Sequence, residues 1–100
     1  MYYDELIGVA VHRFSEALDE FFAWEGEQLD ADLGYEPHPC GTVLGKVLWT
    51  LGTDKFDARE QLTAWLYNYH AAGTPDLPEG YSGDLESAIY ELDAALHWLD

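Results

Sequence analysis

Ile7, Val11, Phe14, Leu18, Phe21 and Phe22 recur three or four positions apart. That spacing lines one side of an amphipathic α-helix. The next position in phase is Glu25, followed by Gly26, so the core face of this helix is expected to end near Phe22 or Trp24. The helix itself can run on towards Leu33, with Gly34 as its stop. A carboxylate on the core phase predicts a bend, a helix end or a polar contact near Gly26.

Three further helical segments follow. Val43, Leu44, Val47, Leu48 and Leu51 come after Thr42, a suitable N-cap, and Gly52 closes the segment. This second helix is nearly apolar all round and is expected to be the most buried. Asp57 to Glu60 reads as a capping box with Asp in place of Ser or Thr, and Asp54 is the alternative start. Leu62, Trp65, Leu66 and Tyr69 form the stripe of that third helix, which Gly73 and Pro75 stop. The fourth begins near Ser82 and carries Leu85, Ile89, Leu92, Leu96 and Leu99, with Ala88 and Ala95 beside them, to the C-terminus. Two loops, Gly34 to Gly41 and Gly73 to Gly83, are rich in Pro and Gly. No segment alternates like a strand. The pattern predicts a small single-domain all-α bundle of about four helices, with a long first helix and a short buried second one.

Length and composition fit this picture. One hundred residues make one domain, and 48% hydrophobic with 15% aromatic content suits a folded core rather than a disordered acidic chain. Charge changes it. Twenty Asp and Glu face four Lys and Arg, a formal net charge of −16. Between Arg13 and Lys46 there is no cation, yet Glu16, Asp19, Glu20, Glu25, Glu27, Asp30, Asp32 and Glu36 all fall there. Ordinary helices relieve such charge with Lys four residues after Glu. This one passes over nearly every chance. A protein so charged argues against binding nucleic acid or an anionic membrane, both of which call for Lys and Arg. The expected partner is a basic protein.

On a helical wheel Glu16, Asp19, Glu20, Glu27 and Asp30 lie opposite the Ile7 stripe. Carboxylates three or four residues apart stand ~4.5–6 Å apart along the axis, near the ~3.4 Å phosphate repeat of a DNA strand. On the fourth helix Glu86, Glu91 and Asp93 flank the core stripe, and Tyr90 and Trp98 point away from it. These ten residues are the candidate partner-binding set: acids for cationic contacts, aromatics as anchors. Trp24 is a further candidate anchor.

Catalytic and metal chemistry find little support. His38-Pro-Cys40 offers two ligands in a loop, where a structural zinc site needs four. Asp30-Ala-Asp32 starts like a calcium loop, but Tyr35 and Gly41 stand where Gly and Glu are required. No histidine has Glu three residues before it, as a di-iron bundle needs. Asp93 and His97, one turn apart on a polar face, read as a helix pair. No nucleophile motif or phosphate-cradling loop is present. The expectation is a non-enzyme without a cofactor. Cys40 stands alone, which fits a reducing compartment, and the acidic N-terminus is unlike a signal peptide. A cytoplasmic protein is expected, its oligomeric state open.

As a physical type the chain resembles the small, acidic, mostly helical inhibitors that imitate nucleic acid. Phages and mobile elements use these against CRISPR effectors, restriction enzymes and DNA-repair enzymes. The resemblance implies an anti-CRISPR or anti-restriction type of inhibitor blocking a Lys/Arg-rich groove. Two other readings stay open: an immunity protein or antitoxin capping a basic nuclease toxin, and a salt-adapted helical domain with no inhibitory role.

Overall fold

A computed structural model describes the chain over residues 2–32, 34–68 and 77–99. It is an all-α bundle of α1 (Tyr2–Ala31), α2 (Pro39–Leu51), α3 (Lys55–Asn68) and α4 (Leu85–Leu96). The 30-residue α1 is the spine. At ~1.5 Å per residue it spans ~45 Å, matching the longest dimension of the molecule, 46 Å. Its most extensive contact is with α4, which runs antiparallel to it. Helix α2 packs on α1 and α3, and α3 also meets α4.

The core follows the apolar stripes. Ile7, Phe14, Leu18 and Phe21 of α1 are buried with Leu44 and Val47 of α2, Leu62 and Leu66 of α3, and Leu85, Ile89, Leu92 and Leu96 of α4. Phe22 departs from the expected stripe. Its side chain is largely exposed, because it lies a sixth of a turn past the stripe's centre, towards α2. There Gly41 lets α2 approach closely: a Cβ at that position would stand 3.1 Å from the Phe22 ring and 3.5 Å from Phe21. Tyr69, Gly73 and Pro75 lie outside the described residues.

Two helix starts differ from the sequence reading. Helix α2 begins at Pro39, not after Thr42. His38 is its N-cap: Nδ1 accepts a hydrogen bond from the Cys40 N–H at 3.1 Å, and Pro39 takes a first-turn position that needs no donor. Thr42 therefore sits inside the first turn. Helix α3 begins at the alternative start. Asp54 Oδ1 accepts from the N–H groups of Phe56 and Asp57, whereas the Asp57 carboxylate accepts from Gln61 Nε2. Helix α2 is also buried on one face rather than all round. Cys40, Leu44, Val47 and Leu51 are inside, while Trp49 is 71% exposed.

Glu25 answers the question its position raised. Helix α1 continues through it to Ala31, and the side chain is only 7% exposed. Glu25 Oε2 accepts hydrogen bonds from the Tyr35 hydroxyl at 3.1 Å and from the His38 N–H at 2.9 Å. One carboxylate thus ties the end of α1 to the loop that leads into α2. Helix α1 closes on Asp32, whose Oδ1 accepts from the Gly34 N–H at 2.9 Å.

Candidate partner-binding surface

Helix α4 has two shoulders, and they decide where the candidate residues go. At 100° per residue, Ala88, Glu91, Ala95 and Trp98 fall on one side of its buried stripe, and Glu86, Tyr90, Asp93 and His97 on the other. The first shoulder meets α1 and the second turns to α3. Glu86, Glu91 and Asp93 were expected to form one patch. They do not: Glu91 is separated from the other two by the width of the helix.

On the α1 side, Glu16, Glu20, Asp84, Ser87 and Glu91 surround a cavity of about 310 Å³ with Ala17 and Ala88 at its base. Arg13 reaches across it from α1. Its guanidinium donates to both carboxylate oxygens of Glu91, at 3.1 and 3.2 Å. Glu16 also pairs with His12 one turn earlier. Asp19, Glu27 and Asp30 are exposed on α1 but do not line this groove. The predicted outer face of α1 is therefore solvent-facing throughout, and its acids divide between a groove and an open ridge.

Towards the other end of the same helix pair, Leu6, Val9, Ala10, Ala94, Ala95 and Trp98 line an apolar trough of about 300 Å³ that also includes Glu91. Val9 is 54% exposed, Leu6 43% and Trp98 55%. Sequence reasoning found Trp98 but missed Leu6, Val9 and Asp84. Leu6 and Val9 were visible as apolar residues three apart and off the Ile7 stripe. Trp24 is not an anchor: it is half-buried against Phe21, Tyr35 and Tyr81, with ring centroids 5.2–6.2 Å away. Tyr81 in turn lies across Gly83, where any Cβ would collide with its hydroxyl. Burial is the main reason the Tyr81 phenol titrates above its ordinary range.

On the α3 side, Tyr90 is exposed as expected, near Glu86 and Tyr67. Burial, more than these two neighbours, raises its phenol pKa. Asp93 overturns its assignment to a surface patch. It is 8% exposed, because the shoulder it occupies is covered where α3 packs on α4. Oδ1 has no hydrogen-bond partner, and His97 Nδ1 is 3.8 Å away, closer to the Asp93 carbonyl oxygen at 2.6 Å. Burial pushes the Asp93 carboxyl above the usual carboxylate range, with His97 opposing it.

A carboxyl raised in the folded state stabilises the fold below its unfolded pKa, and that contribution is lost as pH rises through the raised value. Asp93→Asn is therefore expected to stabilise the protein by about 1 kcal/mol at neutral pH, the scale of an unpaired buried polar group. The two proteins should converge near pH 4 and below, around the ordinary carboxyl pKa of about 3.9. Urea denaturation across pH measures this, and equal stability at neutral pH would show that the buried charge is tolerated without cost.

The His38-Pro-Cys40 pair is not an exposed loop pair. His38 is half-buried and caps α2, and Cys40 is 1% exposed in the core. Among the described residues, no group of three or more His, Cys, Asp or Glu could hold a metal ion, and no helix is long and apolar enough to cross a membrane. Of the remaining cations, Lys46 and Lys55 are exposed on α2 and α3, and Arg59 of α3 donates to the Leu99 carbonyl at 2.7 Å while lying over the Phe56 ring. Arg13 is the one Lys or Arg on α1 or α4. No protein family, curated protein or solved structure matches this chain.

Proposed function

We propose that this protein is an acidic nucleic-acid mimic that inhibits a basic effector, of the anti-CRISPR or anti-restriction type, by occupying a Lys/Arg-rich groove meant for DNA or RNA. The observation that carries the reading is the exposed face of α1. Glu5, Glu16, Asp19, Glu20, Glu27 and Asp30 stand on it over ~38 Å of helix, and its single cation, Arg13, is taken up by Glu91. Such a field steers a basic partner into fast, salt-sensitive association. No basic residue stands in the last turn of α1 to offset its helix dipole, so Glu27 and Asp30 lack a local counter-charge that a partner's Lys or Arg would supply. A salt-adapted domain without a partner has no use for Trp49 and Trp98 at such exposure.

Competition tests the reading. A CRISPR ribonucleoprotein, a restriction endonuclease and a DNA-repair glycosylase are each loaded with labelled nucleic acid and titrated with the protein at low salt. Displacement from at least one is expected, weakening by about tenfold or more between about 50 and 200 mM salt. The triple variant Asp19→Asn, Glu27→Gln, Asp30→Asn should lose most of it. Failure to displace nucleic acid from any of them removes the reading. An immunity protein would use the same acids, and capture of a basic nuclease toxin in place of these effectors assigns that role.

A further inference from the structure

The groove between α1 and α4 has a composition gradient that an open acidic ridge lacks. One end is the apolar trough of Leu6, Val9, Ala94, Ala95 and Trp98, and the other is ringed by Glu16, Glu20 and Asp84. Glu91 belongs to both and joins them. Counting along α1, Glu16 and Glu20 lie seven and eleven residues beyond Val9, or ~10 and ~16 Å along the axis. Phosphate mimicry alone does not call for apolar surface at one end of an acidic groove. Recognition of an amphipathic helix does, since its apolar residues anchor and its cations set register.

We propose that this groove binds one basic amphipathic helix of the partner, with a large apolar residue seated in the trough and Arg or Lys seven and eleven positions away at Glu16 and Glu20. Charge selects this occupant. A second copy of the chain would bring another −16 to an acidic groove. An apolar helix without cations would leave Glu16, Glu20 and Asp84 crowded under it with their repulsion unrelieved. The protein's own Arg13 already displays the contact, a guanidinium laid across the groove on both oxygens of Glu91. The proposal rests on the reading of a basic partner and adds the face, the secondary structure and the register.

The test uses a labelled synthetic helix of about 20 residues, long enough at ~1.5 Å per residue to span the groove. It carries Leu at one position and Arg seven and eleven positions on. The control peptide has Gln for that Leu. Anisotropy titrations should show the Leu peptide binding about tenfold or more tightly than the Gln peptide. Val9→Ser and Trp98→Ala should each remove most of that advantage and leave the Gln peptide unchanged. Val9 is exposed in α1, so its variant keeps the fold. Amide shifts on binding should centre on Leu6, Ala94 and Ala95. Equal binding of both peptides, or shifts centred on Asp19, Glu27 and Asp30, overturns the groove proposal and leaves the broader inhibitor reading standing. No binding of either peptide, together with no displacement in the competition assay, overturns both. A dimer in sedimentation that Val9→Ser dissociates overturns the choice of occupant.

Discussion

Phe21→Ala is expected to lower the free energy of unfolding by about 3–5 kcal/mol, the usual cost of emptying a buried aromatic site. Small domains have about 5–15 kcal/mol in all, so this variant should unfold at much lower denaturant. The size follows from where the ring sits. Phe21 is fully buried, its centroid is 5.1 Å from Tyr81 in an edge-on contact, and it lies 5.8 and 6.0 Å from Phe22 and Trp24. It also forms part of the wall that Gly41 of α2 approaches. Truncation therefore loosens three elements at once: α1, the start of α2, and the segment at Tyr81 that leads into α4. Urea midpoints measure the loss, and the near-ultraviolet signal of Trp24 and Tyr81 should fall before full unfolding. A cost under about 1 kcal/mol would mean that the aromatic cluster is not the packed hub its geometry describes.

Glu25→Ala should cost about 2 kcal/mol, in a protein where removing almost any other acid relieves repulsion. Hydrogen bonds to a charged acceptor contribute about 1.5–3 kcal/mol each, and truncation leaves the His38 N–H and the Tyr35 hydroxyl without their acceptor. Against this, one negative charge fewer on a −16 molecule helps, so the net falls below the sum of the two bonds. Glu25→Gln keeps an amide oxygen for the same donors and should lose less. The comparison that decides is Glu27→Ala, two residues on and exposed, which should be neutral or stabilising at low salt. Equal denaturation midpoints for the Glu25 and Glu27 variants would show that the buried carboxylate does not hold the loop.

These residues mark how far the sequence could be read. The Ile7 to Phe21 stripe and the α4 stripe were legible because an amphipathic period depends only on spacing. Glu25 was legible as an anomaly, since a carboxylate on the core phase must find donors, but the donors come from a loop whose path spacing does not encode. The cap of α2 was misread because Thr42 is the better cap by type, while His38 gains its role from the Pro39 that follows it. Asp93 was misplaced for a different reason. A single helix's wheel shows a polar shoulder and cannot show that α3 covers it. Leu6 and Val9 were missed in the converse way: they lie off the core stripe, and they become a trough only once α4 brings Trp98 and its alanines alongside.

The pairing of α1 with α4 also sets how the chain reaches this state. Arg13 and Glu91 are 78 positions apart, so the largest helix contact is also the least local. Closing it carries a loop entropy that the α2 and α3 contacts do not, and non-local closure slows folding. Two acidic helices must approach while both repel, with Arg13 the only Lys or Arg on either of them. Dissolved ions shorten that repulsion to ~10 Å at 0.1 M. Ionic strength therefore acts twice on this molecule, in opposite senses. It speeds the assembly of the groove from its two halves, and it weakens the grip of the finished groove on anything basic.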